Sequence, residues 1–312
     1  MVRTVFMGTP EFAVPCLEAL IETQQVVGVV TQPDRLAGRG RQLRPSPVKI
    51  AALDANLPIF QPDSLKKEVD AAQIRSWAPE LIVVVAFGQI LRSHVLDLPQ
   101  YSCINVHASL LPRWRGASPI QHAILAGDAE TGVTLMQMDV GLDTGPMFVK
   151  ATTPVEPQET AASLHDKLAG LGAMLLRDKL GDIVNGRIPA TPQDDSLSTY
   201  APLIKKSEGE IDWDQSCETI DRQIRAMTPW PGARTSWKNK PLKVIEASPT
   251  PINTSQKQPG QVFSEGETAV VCTGTQGLQL NRIQLSGKKA MQINDFLRGH
   301  PEFIGATLGN KL

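Results

Sequence analysis

Leu81-Ile82-Val83-Val84-Val85-Ala86-Phe87 is an unbroken apolar run closed by Gly88. A strand with one wet face alternates polar and apolar residues. A short run without alternation fits a strand covered on both faces, as in a parallel sheet flanked by helices. The segments on either side repeat that logic. Val2–Gly8 reads as a strand ending in the turn Gly8-Thr9-Pro10, and a helix starts near Pro15 and carries Leu17, Leu20 and Ile21. Val26–Thr31 and the short Pro58–Gln61 are further strands, and Lys66–Trp77 reads as helical. Beyond the central run come strands at Ser102–Ala108 and Val133–Met138, with a helix near Pro119–Ala126 between them. Strands separated by helices predict an α/β fold with a doubly wound parallel sheet.

The pattern then changes. Leu164, Leu168, Leu171 and Leu175 recur at helical steps between Glu159 and Ile183, marking an amphipathic helix that packs back on the sheet. Arg187–Lys206 holds Pro189, Pro192 and Pro202 among polar residues and reads as a linker. After it, one helix (Trp213, Cys217, Ile220, Ile224, Met227) precedes short β segments at Thr235–Trp237, Leu242–Ala247, Gly260–Phe263, Ala269–Cys272 and Leu278–Ile283. Short strands with Gly and Pro turns predict a small β-barrel of the oligonucleotide-binding class. The expected organisation is a catalytic domain over 1–188, a linker over 189–206 and a barrel domain over 207–312.

Composition narrows the classes. The chain has 312 residues, 41% hydrophobic and 20% charged, ordinary for a globular protein of two domains. No apolar run is long enough to span a bilayer, and the N-terminus carries neither signal nor transit pattern, so a cytoplasmic protein is expected. Four scattered cysteines without a C-x-x-C spacing and five isolated histidines predict neither disulfides nor a metal site. Net charge is −1, with mild acidity in the first 204 residues and mild basicity beyond them. Gly8-Thr9-Pro10-Glu11-Phe12 lacks the G-x-G-x-x-G fingerprint, which argues against a nicotinamide dehydrogenase. The motif reads first as a tight turn.

Candidate chemistry sits at the end of the strand at 102–108. Asn105 and His107 are two residues apart, so in an extended strand both point to one face. Asp143, on the Gly141-Leu142-Asp143-Thr144-Gly145 loop, is a carboxylate that could meet them. Singly, each has a plainer reading: a strand cap, a satisfied imidazole, a turn former. Together they gain weight, because ligands of open α/β sheets bind beyond the carboxyl ends of the strands. An amide donor, an imidazole and an orienting carboxylate suit acyl transfer. Ser109-Leu110-Leu111-Pro112 is either a plain loop start or the wall of an apolar pocket. Between Arg35 and Lys49 lie five cations (Arg35, Arg39, Arg41, Arg44, Lys49), no acid, two glycines and two prolines. Composition alone leaves two readings of that loop, a solvated segment or a phosphate grip.

Asn105-x-His107, Ser109–Pro112, Gly116 and Gly141–Gly145 resemble the 10-formyltetrahydrofolate-dependent formyltransferases. The Gly8–Phe12 start, Thr31-Gln-Pro-Asp34, Ala37-Gly38-Arg39-Gly40 and Trp230-Pro231 extend the resemblance over essentially the whole chain. Ala108, where relatives often carry Gly, and Pro146 depart from the pattern. The resemblance implies a Rossmann-like catalytic domain, a linker and a C-terminal barrel that helps to bind tRNA. It implies Asn105, His107 and Asp143 as the catalytic set. It also implies folate contacts at Ser109, Leu110, Leu111, Pro112, Phe87, Gly88, Gln89, Ile90 and Asp139. The formyl group of 10-formyltetrahydrofolate would pass to the α-amino group of initiator methionyl-tRNA in a monomeric enzyme without metal. Arg39, Arg41, Arg44 and Lys49 would then grip the tRNA. A formyltransferase acting on another amine would share the triad without needing the basic loop, and an RNA-binding module without chemistry would leave the triad unexplained.

Overall fold

A computed structural model describes residues 1–37, 42–252 and 256–309. In chain order its strands are β1 (Arg3–Gly8), β2 (Gln25–Val30), β3 (Arg35–Ala37), β4 (Gln42–Arg44), β5 (Ile59–Phe60), β6 (Leu81–Val85), β7 (Cys103–His107), β8 (Glu130–Gln137), β9 (Met147–Pro154), β10 (Ala233–Trp237), β11 (Lys240–Thr250), β12 (Val262–Glu265), β13 (Thr268–Cys272), β14 (Gly277–Leu285) and β15 (Met291–Gln292). The α-helices are α1 (Val14–Thr23), α2 (Pro47–Asp54), α3 (Ala72–Ser76), α4 (Ser93–Leu96), α5 (Pro119–Ala126), α6 (Ala161–Val184), α7 (Cys217–Ala226) and α8 (Ile293–Gly299). None of the described helices is long and apolar enough to cross a membrane.

Seven strands form one sheet in the order β5-β2-β1-β6-β7-β8-β9. From β5 to β7 they run parallel. All five residues of β6 are buried, as the LIVVV run requires of a central strand covered on both faces. The all-parallel expectation fails at the far edge, where β8 and β9 run antiparallel. Those two strands are joined by a loop without a helix, so the second can only return alongside the first. The sequence reading missed β9 because Lys150, Thr152, Thr153 and Pro154 give it a polar edge-strand composition.

One side of the sheet packs Val5, Met7, Val30, Ile82 and Val84 against Ile74, Leu91 and Val95. On α1 and α6, Leu17 and Leu20, and Leu168, Leu175 and Leu180, are also buried. Gly172 lets α6 approach β7, since a Cβ there would stand 2.9 Å from Val106 Cγ1. The basic stretch 35–49 is also corrected: β3 pairs with β4, and α2 already begins at Pro47. Ser46 Oγ caps that helix by accepting from the Lys49 backbone N–H at 3.1 Å. Ser before Pro at the first helical position is a start signal, obscured here by the surrounding prolines.

The chain forms two compact units: 1–119 with 130–154 and 165–202, and 120–129 with 155–164 and 203–312. Residues 191–201, read from the sequence as part of a linker, are hydrogen-bonded into the first unit. Thr191 and Met147 exchange backbone bonds of 2.8 Å, and Ala201 donates to the Arg115 carbonyl at 2.7 Å. In the second unit β10-β11-β14-β13-β12 form an antiparallel sheet with β15 against β14. Its core contains Trp213, Ile220, Ile224, Trp237, Leu242, Leu280, Phe296 and Phe303. Among the described residues no ladder joins β10 to β12 directly, but residues 305–309 bridge the two edges: the Val262 N–H donates to the Ala306 carbonyl at 2.8 Å and the Gly309 N–H to the Ser236 carbonyl at 3.1 Å.

Candidate active site

The alternation of β7 puts Asn105 and His107 on one side, while Ile104 and Val106 enter the core. His107 Nε2 lies 2.9 Å from the Trp114 carbonyl oxygen. A carbonyl only accepts, so Nε2 carries the N–H and donates. That leaves Nδ1 facing Asp143 Oδ2 at 3.7 Å, beyond hydrogen-bond reach. The same Oδ2 accepts the Gly116 N–H at 2.8 Å. Asp143 Oδ1 accepts a long bond of 3.4 Å from Asn105 Nδ2. The structure thus brings all three sequence-predicted catalytic candidates together. Asp143 sits at φ +53°, in the left-handed region that Asp tolerates better than most residues.

The Ser109–Pro112 loop is tied down from two neighbouring strands. Thr134 Oγ1 donates to the Ser109 carbonyl at 2.7 Å and accepts from the Leu111 N–H at 3.1 Å. The Lys150 ammonium donates to the Leu111 carbonyl. Burial of Lys150 lowers its pKa from the ordinary lysine range. His107, Thr134 and Lys150 are register partners across β7, β8 and β9. Neither Thr134 nor Lys150 carries a motif signal, and only strand register reveals them. Ser109 and Leu111 are fully buried, and Ser109 Oγ donates to the Arg113 carbonyl at 2.6 Å. Leu110 and Pro112 are half-buried and form the more open part of the loop.

The other folate candidates fall into two groups. Phe87 is buried, and its carbonyl accepts from Thr9 Oγ1 at 3.0 Å and from Gln32 Nε2 at 3.3 Å. The Gln89 side chain pins a neighbouring loop, accepting from the Leu65 N–H at 2.9 Å and donating to the Pro62 carbonyl at 3.1 Å. Gly88 adopts φ +84°, and Ile90 projects outward. Asp139 is exposed and accepts from the Gly141 N–H at 2.9 Å and from Thr144 Oγ1 at 2.8 Å. Val140 and Leu142 on the same loop are exposed apolar side chains. Gly8 has a packing reason, because a Cβ there would come within 2.8 Å of Ala13 Cβ.

Among the basic candidates, Arg44 is exposed on β4 opposite Arg35. Lys49 is engaged, its Nζ 2.7 Å from Asp34 Oδ2. Hydrogen bonds from Lys49 and then Gln61 hold the Asp34 carboxyl below the usual carboxylate range. Arg39 and Arg41 lie outside the described residues. The described residues contain no cluster of three or more metal-ligating side chains.

An amide, an imidazole and a carboxylate gathered at a strand end of an α/β sheet are the kinds of group that acyl transfer uses. Residues 2–180 match the formyl transferase family and 203–301 match the formyl transferase C-terminal domain, so the chain belongs to the formyl transferase family. It is 47% identical over 309 residues to a methionyl-tRNA formyltransferase of Hydrogenovibrio crunogenus, covering 98% of each chain. It is 48% identical over 311 residues to a methionyl-tRNA formyltransferase of Citrifermentans bemidjiense, covering 99% of this chain and 97% of that one. Among solved structures it is similar to WlaRD, a sugar 3N-formyl transferase, with TM-score 0.67 and 20% identity over 93% of this chain and 99% of that chain. It is also similar to HypX from Aquifex aeolicus, with TM-score 0.64 and 19% identity over all of this chain and 49% of that one. At those identities the solved structures support the fold.

Proposed function

We propose that this protein transfers the formyl group of 10-formyltetrahydrofolate to the α-amino group of initiator methionyl-tRNA, giving N-formylmethionyl-tRNA and tetrahydrofolate. The observation that carries this reading is the meeting of Asn105, His107 and Asp143 in a chain that matches methionyl-tRNA formyltransferases over nearly its whole length. Exposed Ile90, Val140 and Leu142, with half-buried Leu110, supply the apolar side chains that a pterin and its benzoyl ring need. A cytoplasmic location follows from the tRNA substrate. A single copy suffices, because the three catalytic candidates come from one unit of one chain.

The α-amino nitrogen attacks the formyl carbon, a C–N bond forms, and the carbonyl oxygen becomes an oxyanion. A free α-amino group has a pKa of about 7.7–8.0, and esterification lowers it, so much of the substrate is a neutral nucleophile at pH 7. One Asn105 amide hydrogen leans toward Asp143, and the other serves the oxyanion. One such donor is worth about 3–4 kcal/mol of barrier in comparable sites. His107, fixed through Nε2, takes the proton of the attacking nitrogen at Nδ1 and passes it to the folate nitrogen as the old C–N bond breaks. Asp143 orients Asn105, and its carboxylate beside Nδ1 stabilises the imidazolium formed when His107 takes the proton. Arg44, with Arg39 and Arg41, offers positive charge to the tRNA backbone.

The test is single-turnover formylation of charged initiator tRNA by Asn105→Ala, His107→Ala and Asp143→Asn variants, with folate and tRNA binding measured separately. Each variant should lose at least about a hundredfold in rate while binding both substrates. Near-normal rates in all three would remove the assignment. Failure of the unmodified enzyme to formylate methionyl-tRNA would remove the reaction itself.

A further inference from the structure

Between the two matched family segments, which end at 180 and begin at 203, runs the strap 191–201. It is laced onto the loops that hold the candidate site. Thr191 pairs with Met147, Arg115 N–H donates to the Thr199 carbonyl at 2.9 Å, and Trp114 N–H donates to Thr199 Oγ1 at 2.9 Å. From 191 to 197 every side chain is exposed except that of Gln193, which turns inward. Its Nε2 donates to two carbonyl oxygens at once, Asp143 at 2.8 Å and Gly145 at 2.8 Å. Its Oε1 accepts from Arg115 Nε at 3.0 Å and Nη2 at 2.8 Å. Arg115 is 2% exposed and also pairs with Asp195 at 2.7 Å.

Valence fixes the orientation of this amide. A guanidinium has only donors and a backbone carbonyl only accepts, so Oε1 must face Arg115 and Nε2 must face the loop. The two bonds brace the 143–145 backbone, one of them at Asp143 itself, which sits at a left-handed φ and whose carboxylate reaches Asn105, Gly116 and the His107 side. A buried arginine with a partner on the strap in turn locks the amide. We infer that Gln193, oriented by Arg115, is a positioning residue for Asp143, so that the strap between the two family segments completes the catalytic geometry. This inference rests on Asp143 taking part in formyl transfer.

The experiment is single-turnover kinetics on full-length Gln193→Glu and Gln193→Ala, alone and combined with Asp143→Asn. Gln193→Glu keeps the acceptor for Arg115 but turns a carboxylate oxygen toward the two carbonyls. Both single variants should slow formyl transfer by about tenfold to a hundredfold, as small misplacements of reacting groups do. KM for folate and for tRNA should stay within about twofold, because the effect lies in geometry at the reacting centre. In the Asp143→Asn background the further loss from Gln193→Ala should shrink to less than about threefold, as expected when one residue acts through another. A full additive loss in that background would overturn the inference, as would wild-type rates in both single variants. Loss of cooperative unfolding or of folate binding in both would also overturn it, since the contact would then serve folding. If Asp143→Asn alone were as fast as wild type, the site reading would fall first, a result separable from the Gln193 singles.

Discussion

Asp143 shows how much of the site is decided at single residues. Its carboxylate reaches the Gly116 N–H and Asn105 only because the loop around it turns in a left-handed conformation and lies close to β8. Gly145 allows that approach. A Cβ there would stand 2.0 Å from the Gln137 carbonyl oxygen, a backbone atom that cannot swing aside. Gly145→Ala should therefore cost about 1–3 kcal/mol of stability, in the range of overpacked sites, and should slow formyl transfer as the loop shifts. Denaturant unfolding and single-turnover rates check both, and unchanged stability would show that the loop yields freely. In the sequence the glycines flanking Asp143 were legible as a turn, and Asn105-x-His107 as one face of a strand. The bond from Gly116 to Asp143 was not legible, because it joins residues 27 apart through a backbone group that has no sequence signature.

At the scale of elements, the LIVVV strand followed from an unbroken apolar run, α1 from a first-turn proline with apolar spacing and α6 from its leucine period, whereas β9 and α2 were not legible. Periodicity reports which face is buried, so an edge strand with mostly polar residues and a short capped helix give weak signals. The cap of α2 also closes a small polar knot. Thr31 Oγ1 lies 2.7 Å from Ser46 Oγ, and Lys49 of the same helix pairs with Asp34. Ser46→Ala should lower stability by about 1 kcal/mol and raise amide exchange through 46–50, as measured by hydrogen exchange. If exchange there stayed slow, the helix would be held by packing of Val48 and Ala52 instead. Register across β7, β8 and β9 is the other lesson at this scale. It aligns His107, Thr134 and Lys150, and no single strand's sequence shows that alignment.

Over the whole molecule, four free cysteines are buried without a disulfide among them. Burial, with a smaller contribution from Asp97 at Cys103, pushes the Cys16 and Cys103 thiols up to about 12. Unfolded thiols ionise near about 8.5, so above that pH the folded chain binds more protons than the unfolded one. The stabilisation is fully present below the ordinary thiol pKa and is lost as pH rises toward 12, by up to about 1.4 kcal/mol per pH unit per thiol. Denaturant melts from pH 7 to 11 should show a plateau and then a fall, and Cys16→Ala should make the fall shallower. An unchanged slope in that variant would mean that other groups dominate the alkaline loss. The sequence by itself determined the α/β class, the second β unit and the three side chains proposed for catalysis, because hydrophobic period and residue chemistry are local properties. Only the tertiary structure decided that β8 and β9 run antiparallel, that Lys49 is spoken for by Asp34, and that the stretch read as a linker is a strap holding Asp143 through Gln193. Those facts depend on pairings across the chain, 15 positions for Lys49 and Asp34 and 50 for Gln193 and Asp143, and such pairings are set by how the chain closes on itself.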